Sequence, residues 1–349
     1  MSRPQRAIHS NGVSGAGWIT LWVSVLALSA LAGVSILPRA AAQQKIIIRF
    51  GHVGFPDSLF ESTAEEFAKR VNKELAGRVE VRVFHSSQLG TDEDMLRGVR
   101  VGALEMFLPS TVMSSVDDGF GVFEMPYIIV DRVHMKRVAD NAAVRKALLD
   151  PQPVKGLRLL AFWENGFRHV TNNVRPITKP DDLRGIKLRI PRGVWRQRMF
   201  QAYGANPTPM ALSEVFSALQ TGVMDGQENP LAQIWGAKFH EVQKYLSLTG
   251  HVYTPAYPTA GERWWQTLPP DVRITIRRIA EEVADFARSE GERLDNSLAA
   301  EMRKANPNLK VNEVDKKAFI AASAPIYDQF AKEVPNGAEL IRLIQSLRP

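Results

Sequence analysis

Apolar positions along the chain switch repeatedly between a period of two and a period near 3.6, and the switching predicts the architecture. Lys45–Phe50 and Val79–Phe84 read as strands, whereas Asp57–Leu75 and Asp92–Val101 carry their apolar residues at helical spacing. Strand, helix, strand, helix is a βαβ rhythm and implies a parallel sheet. Leu157–Trp163 and Gly185–Ile190 are further strands. Leu212, Val215, Phe216 and Leu219 fall at i, i+3, i+4 and i+7, one face of an amphipathic helix entered after Pro209. Gly222 stops that helix. A short strand at Val223 and Met224 and an Asp225-Gly226 pair then deliver Gln227, Glu228 and Asn229 ahead of Pro230. From Asp271 to about Lys304, Val272, Ile276, Ile279, Val283, Phe286, Leu294 and Leu298 mark one long, one-sided helix that Asn306-Pro307 ends. At 1.5 Å per residue it reaches roughly 50 Å. That exceeds the width expected of one lobe, so the helix is placed to bridge two.

The first residues change the picture of length and charge. Arg3 and Arg6 precede an uncharged apolar segment, Trp18 to Leu37, and Ala40, Ala41 and Ala42 supply the small residues of a signal-peptidase site. Residues 1–42 are therefore expected to be a signal peptide, with an uncleaved membrane anchor as the competing reading of the same apolar run. Removing them, with Arg3, Arg6 and Arg39 and no acid, takes the net charge from +7 to (44 − 3) − 37 = +4. A mildly basic protein attracts anions over long range. Its Lys and Arg are too evenly interspersed with Asp and Glu to indicate a nucleic-acid partner. The 349 − 42 = 307 remaining residues exceed what one core usually serves, so two lobes are expected. No cysteine is present, which excludes disulfides, thiolate ligands and a cysteine-linked lipid anchor.

The bare pattern leaves the candidate chemistry open. Gln227, Glu228 and Asn229 suit a cleft lining, and they suit a turn whose side chains satisfy local backbone groups equally well. Ile186, Leu188 and Ile190 alternate with Lys187 and Arg189, putting Arg189 on the polar face of a half-buried strand, where solvated arginines are common. Arg168 lies near an expected loop at Asn165 and Gly166. Asp92 at a helix N-terminus favours the helix dipole without any ligand. Trp195, Phe162, Trp163 and Tyr257 suit a pocket wall or plain core. No G-x-S-x-G, H-E-x-x-H or G-x-x-x-x-G-K motif is present, and His240-Glu241 is followed by Lys244 where zinc binding needs a second histidine. No enzymatic function, cofactor or histidine- or cysteine-based metal site is expected from these motifs, while a carboxylate-based calcium or sodium site stays open.

Six motifs in order carry a resemblance: SSQLGTDEDML at 86–96, FEMPYII at 123–129, ENGFRHVTN at 164–172, DDLRGIKLRIP at 181–191, GANPTPMALSEVFSALQTGVMDGQENP at 204–230 and KFHEVQKYLSLTGH at 238–251. Together they resemble the DctP-type solute-binding proteins of TRAP transporters, and the resemblance covers about residue 45 to residue 300. It implies an α/β, two-lobed periplasmic binding protein of the Venus-flytrap kind with a spine helix. Lobe I would hold residues 43–166 and about 255–293, and lobe II residues 167–254 and about 294–349. It further implies a periplasmic receptor that captures an organic acid between the lobes and hands it to the small and large membrane subunits of a permease. The family's arginine in the KLR-I/V-P strand, which holds the ligand carboxylate, corresponds to Arg189, and a second ligand-facing arginine to Arg168. Asn229 matches a ligand-donating asparagine and Asp92 an acidic first-lobe position. Leu212 stands where relatives that bind sialic acid have Phe, and Ser110 or Thr111 where they place Glu, which disfavours sialic acid. A sensory subunit with the same pocket, or a periplasmic enzyme acting on a carboxylic acid, are the competing functions.

Overall fold

The computed structural model describes residues 45–149, 153 and 155–349, so the expected signal peptide lies outside the described residues. Twelve strands occur among them: β1 (Ile46–Gly51), β2 (Val79–Phe84), β3 (Met106–Phe107), β4 (Leu157–Leu159), β5 (Trp163–Asn172), β6 (Lys187–Ile190), β7 (Asn206–Pro209), β8 (Gly226–Pro230), β9 (Tyr245–Ser247), β10 (Tyr253–Ala256), β11 (Thr259–Gly261) and β12 (Lys310–Asn312). They form two sheets, each the floor of a lobe. The first has the order β2-β1-β3-β11-β4, and the second β12-β9-β5-β8-β6-β7 with β10 added on β5.

The βαβ rhythm produces the expected parallel core of the first sheet, β1 pairing in parallel with both β2 and β3. Helix Leu59–Glu74, capped by Ser58, covers it by burying Phe60, Phe67 and Val71. The sheet is nevertheless mixed, because β11 returns from the second lobe and enters antiparallel between β3 and β4. The run read from sequence as one strand, Leu157–Trp163, is two strands in different sheets. Asn165 and Gly166, expected in a loop, lie inside β5, with Gly166 at φ 120° supplying a backbone bend that few other residues tolerate. β5 and β10 pair side by side, Trp163 opposite Ala256, at the point where the chain passes between the sheets in both directions.

The expected strand at Val223 and Met224 is a turn, and the polar cluster after it is itself the strand β8. Gly226 opens β8 so close to β5 that an added Cβ would sit 2.2 Å from the Thr171 carbonyl oxygen. Proximity to another strand, which no local pattern encodes, decides where β8 starts.

The long helix runs from Pro270 to Ala305, 36 residues or about 54 Å. It buries Val272, Ile276, Ile279, Val283, Leu294 and Leu298 as its spacing predicts. It packs on helix Leu59–Glu74 of the first layer and on β5 and β12 of the second sheet, so it bridges both. Among the described residues no helix is long and apolar enough to cross a membrane.

Candidate ligand-binding site

Three neighbouring strands of the second sheet bring the expected residues together. β8 lies between β5 and β6, so Arg168 faces Pro230 across one ladder and Arg189 faces Gln227 across the other. Side chains from these strands, Asn165 of β5 among them, close one side of a cavity of about 50 Å³, and Asp92 and Thr111 of the first lobe also line it. Such a volume has room for roughly four waters, which suits a small molecule. A larger and more open groove of about 1040 Å³ passes Tyr127, Phe167 and Tyr327. None of its lining side chains is a buried polar group without a partner, whereas three residues of the small cavity are.

Arg168 and Arg189 are both buried, at 2% and 3% exposure, but their charges are handled differently. The Arg168 Nε donates to Glu228 Oε2 at 2.6 Å, and its Nη2 donates to Glu228 Oε1 at 2.9 Å. The same Nη2 reaches the Glu228 carbonyl at 2.7 Å and Asn229 Oδ1 at 3.0 Å. Glu228 also accepts from Arg196 Nη1 at 2.6 Å, and Arg196 reaches Glu124 at 2.7 Å. These two arginines hold the Glu228 carboxyl well below the usual carboxylate range despite its burial. His251, pushed down to about 4 by burial, remains neutral and donates to the same carboxylate at 3.1 Å.

Arg189 has no such counterion. Its Nε and Nη2 both donate to the Met210 carbonyl, at 3.0 and 2.5 Å, and among the described residues no carboxylate sits at salt-bridge distance. Burial lowers its pKa to about 10, with Glu228 and Asp92 acting only at a distance. A buried cation lacking a counterion is costly, and a ligand anion offsets that cost.

Asp92 begins helix Asp92–Val101, yet capping does not occupy it: Thr91 and Asp94 form the capping box. Its carboxyl faces the cavity, where loss of water and the adjacent Glu93 push its pKa up to about 7 against the pull of Arg189. Leu212 lines the cavity as the first residue of helix Leu212–Gln220. Asn229 lines it too, but as part of an oriented chain: its Oδ1 accepts from Arg168, and its Nδ2 donates to Gln227 Oε1 at 2.6 Å.

Trp195 does not line this cavity, which corrects the expectation for it. Helix Val194–Ala202 turns its indole inward against Phe330, ring centroids 5.0 Å apart in a T-shaped contact, with the Arg198 guanidinium 4.7 Å from the indole centroid. Phe162 and Trp163 are likewise core, Phe162 against Phe123 and Tyr257, Trp163 against Phe50 and Phe67. Large aromatic area is buried where core volume requires filling, and the spacing of these residues carries no information about the cleft.

Sequence reasoning did not single out Gln233, Asn165, Arg196 or Glu124. The one signal the sequence holds for Gln233 and Glu124 is a lone polar residue inside the apolar runs LAQIWG and FEMPYII, and both are buried. The Thr111 hydroxyl, the Asn165 carbonyl oxygen and the Gln233 carbonyl oxygen are all buried without a hydrogen-bond partner. Each such group costs about 1–3 kcal/mol unless something pairs with it.

Two sheets joined by paired crossover strands and a spine helix, with a small cavity lined by arginine and amide side chains, define a two-lobed solute-binding protein. The chain belongs to the bacterial extracellular solute-binding protein family 7, DctP, whose model matches residues 50–333. It is 34% identical to the C4-dicarboxylate-binding periplasmic protein DctP of Rhodobacter capsulatus over 329 residues, 91% of this chain and 97% of the relative. Among solved structures it resembles the sugar acid binding protein DctPAm from Advenella mimigardefordensis in complex with galactonate, with TM-score 0.82 and 34% identity, covering 87% and 98% of the two chains. A TRAP periplasmic solute binding protein from Sulfurospirillum deleyianum with bound succinate gives TM-score 0.82 and 34% identity, covering 87% and 99%. The family and these relatives are solute-binding receptors and not enzymes.

Proposed function

We propose that this chain is the extracytoplasmic receptor of a TRAP transporter, exported by the signal peptide expected at residues 1–42, and that it captures an organic acid in the cleft between its lobes. The single observation that carries this reading is Arg189, a buried cation whose fixed partner is a carbonyl and whose counterion the ligand carboxylate supplies. Arg pairs with a carboxylate through parallel N–H···O bonds, and the pair strengthens as the cleft excludes water. Residues 43–166 with about 255–293 form one lobe in this reading, and residues 167–254 with about 294–349 the other. The paired crossovers β5 and β10 are the hinge. Binding energy closes the lobes, and the closed form is what the small and large permease subunits recognise.

Calorimetry on residues 43–349, refolded to remove carried-over ligand, tests the reading with a panel of mono-, di-, keto-, sugar and aromatic acids. Binding by one class, lost in Arg189→Ala with the thermal unfolding of the unliganded protein unchanged, is the expected result. Full affinity in Arg189→Ala overturns the role of that residue, and no binding by any acid overturns the receptor.

A further inference from the structure

Family membership leaves the class of acid open, since relatives of equal similarity hold galactonate in one case and succinate in the other. Resting on the receptor reading above, we infer that this chain selects a monocarboxylic acid bearing hydroxyl groups and discriminates against dicarboxylates. The inference comes from what the cavity offers: one cation without a counterion, Arg189, and around it buried oxygens without hydrogen-bond partners.

The cation count is settled by pairing. A second ligand carboxylate needs a second positive group. Arg168 is already matched in a bidentate pair by Glu228, and Arg196 is shared between Glu228 and Glu124. Arg192 lines the mouth of the cavity, but Glu93 holds it at 2.9 Å and most of its side chain is in water. A second carboxylate placed away from Arg189 would therefore enter a buried site without a free counterion.

The remaining lining supplies two amide oxygens, which only accept, and one hydroxyl, which accepts and donates. The orientation of the Asn165 amide is fixed by a neighbour with one proton to give: the Ser110 hydroxyl donates to the Pro255 carbonyl at 2.7 Å and so accepts from Asn165 Nδ2 at 3.1 Å. This turns Asn165 Oδ1 away from Ser110 and leaves it unpaired and buried. Gln233 Oε1 and Thr111 Oγ1 are unpaired beside the same cavity, with the residues 3% and 7% exposed. The Asp92 carboxyl faces the same space. Amide oxygens and a carboxyl are satisfied by O–H donors. A second carboxylate, an acceptor only, repels them, and an alkyl chain leaves them unpaired.

Three four-carbon acids separate the possibilities in calorimetry on the refolded protein: butanoate, 2,3,4-trihydroxybutanoate and butanedioate, repeated with their six-carbon counterparts. The trihydroxy or polyhydroxy acid is expected to bind at least tenfold more tightly than either unhydroxylated acid of its length. Gln233→Leu, which removes no hydrogen bond within the protein, is expected to cut that affinity about tenfold and the butanoate affinity by much less, so that the ratio between the two acids narrows. A merely structural role for Gln233 would lower both together. Butanedioate or its six-carbon counterpart binding as tightly as the hydroxylated acid of its length, with both lost in Arg189→Ala, overturns the selectivity and leaves the receptor intact. No binding by any of the six overturns both.

Discussion

Arg168 and Glu228 form a bidentate ion pair inside the second sheet, with N···O distances of 2.6 and 2.9 Å and neither side chain more than 2% exposed. The pair separates two buried arginines of the same cavity lining by their partners. Arg168 is matched by a carboxylate, whereas Arg189 meets only the Met210 carbonyl. Arg168→Met is expected to lower unfolding stability by about 3–5 kcal/mol, because Glu228 loses a bidentate partner in a dry site. Arg189→Ala is expected to leave stability nearly unchanged and cost about 2–5 kcal/mol of ligand binding. Urea titration and calorimetry on both variants check the contrast.

Binding is expected to strengthen as pH falls from about 8 to about 6. The ligand carboxylate stays ionised over that range, while the Asp92 carboxyl, pushed up to about 7, takes a proton and stops opposing it. Glu93 and Arg189 are the charged groups that act on it, the first raising and the second lowering its pKa. Because the folded state holds this proton up to about 7 while an ordinary aspartate releases it near 3.8, the group's contribution to stability is full below the ordinary value and is lost as pH rises toward 7. Asp92→Asn is expected to flatten the binding profile, measured by calorimetry across pH, while the stability profile keeps the slope that Glu164, also pushed up to about 7 by burial, contributes. A binding slope that persists in the variant would place that titration elsewhere.

The spine helix passes β5 at Gly291, where an added Cβ would lie 2.4 Å from Glu164 Oε1. Glu164 has little freedom to yield, since Arg132 Nε and Nη2 donate to it at 3.0 and 2.6 Å and the Tyr253 hydroxyl at 3.0 Å. Gly291→Ala is therefore expected to destabilise the fold by about 1–3 kcal/mol, the range for overpacking, in a urea titration.

Glu93 follows β2 of the first sheet, and Arg192 follows β6 of the second, and their 2.9 Å ion pair spans the mouth of the cavity. Arg192 is largely exposed, so the pair is worth at most about 1 kcal/mol. Arg192→Ala is expected to speed ligand release by no more than about fivefold in stopped-flow measurements, and the effect should shrink as salt is raised. A change of a hundredfold would assign Arg192 to the ligand itself.

Periodicity and turn chemistry determined much of this protein. The parallel β1–β2 pair, helix Asp92–Val101 and the burial stripe of Pro270–Ala305 follow from local spacing, because each element must put its apolar face on one side. The motif series placed Arg168, Arg189, Asn229 and Asp92, and the fold gathers them at one cavity. What only the tertiary structure decided is which charge is spent. Arg168 and Glu228 are 60 residues apart, Arg196 and Glu228 32, and Asn165 and Ser110 55. Pairing across such separations depends on strand order and depth, since burial makes an unmatched charge or amide costly and so determines which groups must find partners. Trp195 illustrates the same limit: its sequence position is compatible with cleft and core, and the side of helix Val194–Ala202 that meets Phe330 makes it core.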